Sequence, residues 1–125
     1  MERLYIKQEK YTPEIDFNES LGILNIKGNS YPENTLNFYE PILNWIEEYL
    51  KLNKYNKIIV NFEITYFNSS SSKVFFEIFD MFDEIKEKRN IEINWIYDKD
   101  NESILEVGED YKLDFDGLNF NLLER

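Results

Sequence analysis

Asn68-Ser69-Ser70-Ser71-Ser72-Lys73 lines up four hydroxyls between two strongly apolar stretches. A serine hydroxyl can accept a phosphoryl group, and a phosphoserine carries about −1.5 to −2 charges with three acceptor oxygens. Ile58 to Phe67 precedes the run with a strand pattern, and Val74 to Ile85 follows it with a helix pattern. The spacing therefore puts the hydroxyls where a strand turns into a helix. A helix N-terminus presents unpaired N–H groups at the positive end of its dipole, a favourable place for an anion. The same position suits serines that merely cap the helix and fill the turn. Both readings stand on these residues alone.

Other chemistry is narrowed by what the chain lacks. It has no Cys and no His. Disulfides, thiol nucleophiles, thiolate or His-ligated zinc and His-dependent triads are excluded. Catalysis would fall to carboxylates, Lys, Tyr or hydroxyls, and paired carboxylates can in principle do acid–base work. With 25 acidic residues, chance pairs are expected, so no catalytic residue is assigned. Asp98, Asp100, Glu102 and Glu109 fall at positions one, three, five and twelve of an EF-hand spacing, but Ser103 stands where the loop needs Gly. The expectation is a solvated acidic turn and no metal. Only Asp98 and Asp100 could suit a receiver-like phospho-aspartate site. No Gly-rich phosphate loop is present, and no cofactor is expected.

The net charge of −11 disfavours nucleic acid and anionic membrane surfaces, both of which need Lys and Arg. It fits solubility and steering toward a basic protein surface. No apolar run approaches the ~20 residues of a membrane span. The first residues lack the apolar stretch of a signal peptide, so a cytoplasmic location is expected.

The elements that must position the serines follow from periodicity. Leu4 to Ile6, Glu14 to Phe17 and Ile23 to Lys27 read as short strands, with Gly22 and Gly28-Asn29 as punctuation. Ser30-Tyr31-Pro32-Glu33-Asn34 opens a helix to about Leu52, which Pro41 should kink or divide. In Lys57 to Phe67, Val60, Phe62, Ile64 and Tyr66 alternate with Asn61, Glu63, Thr65 and Phe67. Ser70 to Arg89 reads as helix, Ile91 to Tyr97 as strand, Glu102 to Lys112 as helix and Leu118 to Leu123 as the last strand. The order β-β-β-α-β-α-β-α-β predicts an α/β fold. Its sheet is mixed, with parallel crossovers and helices mainly on one face. Trp45 and Trp95 read as core residues.

At about 100° per residue, Val74, Phe75, Ile78, Met81, Phe82 and Ile85 form the core stripe of the serine helix. Phe76 points away from it and Phe79 sits at its flank. Ser69 and Ser72 project to the side of Phe76. The expectation is a partner-binding surface of Ser69, Ser72, Phe76 and Phe79, with Lys73 beside it, since aromatic anchors dominate many interfaces. The alternative is that Phe76 packs under a neighbouring element.

Four segments together resemble one family: Ser30-Tyr31-Pro32-Glu33-Asn34, Tyr66-Phe67-Asn68-Ser69-Ser70-Ser71-Ser72-Lys73, Ile78-Phe79-Asp80 and Asn94-Trp95-Ile96-Tyr97-Asp98. From about Ile15 to Leu122 the chain resembles the SiaC-type regulatory phosphoproteins, small bacterial proteins with a STAS-like fold. The resemblance implies a single STAS-like regulatory domain over residues 1–125 that acts by partner switching and is not an enzyme. It implies a kinase of the histidine-kinase-like ATPase fold and a PP2C-type phosphatase. It also implies an effector bound by the unphosphorylated form, which in the best-known system is a diguanylate cyclase, linking the output to cyclic di-GMP signalling and biofilm regulation. The implied phosphoacceptor is the hydroxyl directly after the strand-ending Asn68, which is Ser69. Some members carry Thr there. Ser70, Ser71 and Ser72 are neighbouring hydroxyls at the same helix start. Competing functions are a small enzyme with a carboxylate site and a constitutive dimerisation or scaffold module.

Overall fold

The computed structural model describes residues 1–52 and 57–125. Six strands form one sheet in the order of the chain: β1 (Leu4–Ile6), β2 (Glu14–Asn18), β3 (Ile23–Ser30), β4 (Lys57–Phe67), β5 (Asn90–Tyr97) and β6 (Asn119–Glu124). The first three pair antiparallel. From β3 to β6 the pairing is parallel, through α1 (Thr35–Lys51), α2 (Ser69–Glu84) and α3 (Glu102–Asp114). Crossovers between parallel strands are almost always right-handed. Three of them advancing in one direction put all three helices on one face.

That face is the core. Ile15 and Phe17, Leu24 and Ile26, Val60 and Phe62, and Ile93 and Trp95 are buried at alternate strand positions. Four aromatics at the centre, Phe62, Phe75, Phe79 and Trp95, are fully buried and touch one another, with ring centroids 4.9–6.5 Å apart. Burying each such side chain stabilises by about 1.5–3 kcal/mol, and aromatic pairing adds about 0.5–1.5 kcal/mol. Gly22, at φ 68°, makes the β2–β3 turn; a Cβ there would lie 2.5 Å from the carbonyl oxygen of Lys57.

The opposite face is open and polar. A row of asparagines crosses it in register: Asn25 beside Asn61, Asn61 beside Asn94, Asn94 beside Asn121. Each amide donates to the next, from Asn61 to Asn25 at 2.8 Å, from Asn94 to Asn61 at 2.9 Å and from Asn121 to Asn94 at 3.2 Å.

Three local expectations are corrected. Pro41 does not divide α1, which runs unbroken through it. Pro41 and Asn37 are both exposed, so the carbonyl left without its usual donor faces water. The helix of α2 ends at Glu84, not Arg89, because the chain tightens into i→i−3 bonds: Ile85 N–H to Phe82 at 3.2 Å and Lys88 N–H to Ile85 at 2.9 Å. Tyr66 leaves the alternation. The β3–β4 register shifts after Gly28 so that Asn29 pairs with Tyr66, skipping Thr65. Phe67 takes the inward place against Phe75 and Trp95, and Tyr66 is 56% exposed.

Candidate functional site

Asn68 is the cap on which the serine run is built. Its extended backbone (φ −93°, ψ 174°) ends β4. Its side-chain oxygen accepts the Ser71 N–H at 2.9 Å, and its carbonyl accepts that of Ser72 at 3.0 Å. An Asn cap of this kind is worth about 1 kcal/mol. The N–H groups of Ser69 and Ser70 have no such partner among the described residues.

The four hydroxyls are not equivalent. Ser71 is fully buried. Its hydroxyl donates to the carbonyl of Ser30 at 2.8 Å and accepts from the Ser30 hydroxyl at 2.7 Å. The Ser30 proton is thereby used, so the Tyr39 hydroxyl, 2.5 Å from Ser30 Oγ, must be the donor there. The chain of protons runs from Tyr39 to Ser30 to Ser71 to the backbone, and ties α1, the end of β3 and the start of α2 together. Burial holds the Tyr39 phenol well above its ordinary pKa.

Ser72 is half-buried and engaged with α3. Its Oγ lies 2.8 Å from the Tyr111 hydroxyl, which donates to the Ser72 carbonyl at 3.1 Å. Tyr111 therefore accepts from Ser72. Burial also raises the Tyr111 phenol. Ser69 and Ser70 are exposed. Only these two can meet another protein's active site without unpacking the domain.

Lys73, one turn beyond Ser69, is exposed and makes no ion pair among the described residues. A phosphate on Ser69 would meet the helix dipole and, four residues on, an ammonium group.

Phe79 does not belong to this surface. It is fully buried, with its ring against Phe62, Tyr111, Phe115 and Phe120. The flank position became core because α3 closes over that side of α2. Phe76 is 44% exposed and packs on Phe115 with centroids 4.8 Å apart. Phe115, the residue that caps α3, covers part of its ring, and the rest is open. Ser72 and Phe76 thus share a side, as their spacing indicated, and that side faces α3.

The sequence did not indicate a row of tyrosines beside the serine run. Tyr11, Tyr31 and Tyr66 stack edge to face with centroids 5.1 and 5.2 Å apart. Tyr11 and Tyr66 are about half exposed. Tyr66 lies three residues before Ser69, so the row borders the helix start. Its only signal was that Tyr11 and Tyr31 stand next to turn residues and Tyr66 near the end of its strand.

Asp98 and Asp100 lie in the β5–α3 turn, where Asp98 Oδ1 accepts the Asp100 N–H at 3.2 Å. Glu102 and Glu109 ride on α3. Among the described residues no group of three or more acidic side chains is placed to hold a metal ion, and no helix is long and apolar enough to cross a membrane.

Comparison with known proteins shows the same fold. An uncharacterized protein of Pseudomonas aeruginosa (strain UCBPP-PA14) is 30% identical over 115 residues, covering 91% of this chain and 90% of that one. The structure of SiaC of Pseudomonas aeruginosa is similar with a TM-score of 0.86 and 26% identity over 100% of both chains. A chain from the crystal structure of the diguanylate cyclase SiaD in complex with its activator SiaC, from the same organism, gives a TM-score of 0.84 and 28% identity over 97% of each chain. The family model for SiaC family regulatory phosphoproteins matches residues 6–125. The chain belongs to the SiaC family of regulatory phosphoproteins.

Proposed function

We propose that this chain is a switch protein phosphorylated on Ser69, and that its unphosphorylated form binds and regulates an effector. The observation that carries the reading is the inequality of the serines: Ser69 is exposed in the first turn of α2, whereas Ser71 is buried and Ser72 is bonded to Tyr111. Ser70 is also exposed; the family resemblance favours the hydroxyl directly after Asn68. The chain supplies no catalytic group. A kinase of the histidine-kinase-like ATPase fold transfers the phosphoryl group and a PP2C-type phosphatase removes it. The likeness to SiaC bound to SiaD supports a diguanylate cyclase as effector; in this reading the output is cyclic di-GMP and the place of action the cytoplasm.

The partner surface comprises Ser69, Ser70, Lys73 and the open side of Phe76, flanked by Tyr66 and Tyr31. A phosphate at Ser69 leaves the fold intact, since the helix dipole favours it by about 0.3–1 kcal/mol. In a closed interface the same dianion, unpaired, costs several kcal/mol. Each 1.4 kcal/mol is tenfold in affinity, so one phosphate suffices to release the effector.

The test is intact-mass and phosphopeptide analysis after incubation with ATP and lysate of the source organism, with Ser69→Ala beside wild type. One added phosphoryl group on Ser69, absent from the variant, supports the assignment. Phosphate on Ser71 would contradict it.

A further inference from the structure

Between α1 and α2, on the side away from the sheet, lies a groove of about 510 Å³. Its floor is apolar. Leu36, Leu43 and Leu50 line it from α1, Met81 from α2 and Ile85 from the residue that caps α2. Leu36 is 65% exposed, with nothing over it among the described residues. The rim is acidic: Glu40 and Glu47 on α1, Glu77 and Glu84 on α2. Among the described residues lining it the one cation, Lys51, already lies 3.5 Å from Glu47.

Two regularities point to one kind of occupant. The first is period. The leucines recur every seven residues, as do Glu40 and Glu47, and again Glu77 and Glu84. Both helices return antiparallel to the parallel strands, so they run side by side in the same direction. Seven residues span about 10.5 Å along a helix, so both walls repeat with one step. A third helix laid along the groove has that step too, and can set an apolar residue against each leucine. The second regularity is charge. Four carboxylates frame the apolar floor, so the helix that fits carries Lys or Arg along both edges of its apolar stripe.

We propose that the α1–α2 groove is a docking site for a basic amphipathic helix of a partner protein. Its α2 wall begins beyond the serine run, while Leu36, in the first turn of α1, reaches toward the serine end. Glu77 lies eight residues, about 12 Å, along the helix from Ser69. The inference does not rest on phosphorylation of Ser69, and it would stand if another residue were the acceptor.

The probe is a labelled 21-residue synthetic peptide with Leu at heptad a and d positions, Lys at e and g and Ala elsewhere, titrated with the full chain by fluorescence anisotropy. Binding is expected to weaken at least tenfold in Glu77→Lys/Glu84→Lys and several-fold in Leu36→Ser. All three residues are exposed, so these variants fold. Glu106→Lys/Glu109→Lys, with the same change in net charge on α3, is expected to bind like wild type. A peptide with Ser in place of Leu is expected not to bind. The proposal is overturned if no peptide binds, if the Ser peptide binds as tightly as the Leu peptide, or if the α3 variant loses as much affinity as the groove variant. It is equally overturned if sedimentation of the chain alone gives a dimer that Leu36→Ser dissociates, since the groove's occupant would then be a second copy.

Discussion

Ser30 Oγ and Ser71 Oγ stand 2.7 Å apart although 41 residues separate them in the chain. That contact divides the serine run. It commits Ser71 to the core and leaves Ser69 and Ser70 at the surface. Ser71→Ala removes a buried donor to the Ser30 carbonyl, which keeps the Asn68 N–H, and leaves the Ser30 hydroxyl without its acceptor, a loss of about 1–3 kcal/mol. Ser71→Asp would bury a charge in the same place and should cost more. Urea denaturation of both variants, beside Ser69→Ala, measures this; Ser69→Ala is expected within about 0.5 kcal/mol of wild type.

Tyr39 gives the same cluster a pH dependence. Its folded pKa is raised by burial, so the native state holds the proton after the unfolded chain has released it. Below about pH 10, the ordinary tyrosine value, the contribution is fully present; above it, stability falls as pH rises. Tyr111, shifted the same way, adds to the fall. Denaturant midpoints at pH 8 and pH 10.5 should drop in wild type and drop less in Tyr39→Phe. An equal drop would show that Tyr39 is not the source.

Much of this arrangement is legible in the sequence, because it is local. Alternation gives the strands: Ile15 and Phe17 are inward, as are Val60 and Phe62. The Asn68-Ser run marks the helix start because an Asn cap acts within three residues. Legibility fails where a distant element decides. Phe79 looked like a flank residue until α3 covered it. Tyr66 looked inward until a bulge shifted the parity of β4. No Gly or Pro marks the end of α2 at Glu84. The burial of Ser71 depends on Ser30 and Tyr39, which no local pattern connects to it.

Gly108 shows how closely α3 is seated. A Cβ there would lie 2.4 Å from Trp95 Cδ1 and 2.9 Å from Leu122 Cδ2. Gly108→Ala, usually favourable in a helix, is therefore expected to destabilise by about 1–3 kcal/mol. Trp95 donates its Nε1–H to the Ile104 carbonyl at 2.9 Å. Tryptophan fluorescence should shift along with the denaturation midpoint.

On the open face, Asn61 both donates to Asn25 and accepts from Asn94. Asn94 is only 6% exposed. Asn61→Ala breaks two links of the ladder and should cost about 1–3 kcal/mol, whereas Asn121→Ala, which removes the end of the row, should cost less. Equal losses in thermal or urea unfolding would contradict this account of the ladder.

The central claim is that charge at Ser69 releases the effector. The direct test uses two baits, the unmodified chain and the chain with phosphoserine installed at position 69, in lysate of the source organism with phosphatases inhibited. Retained proteins carrying a diguanylate cyclase domain are quantified by mass spectrometry. The account predicts at least tenfold more retained by the unmodified bait. Equal retention by the two baits, or more by the phosphorylated one, would contradict it.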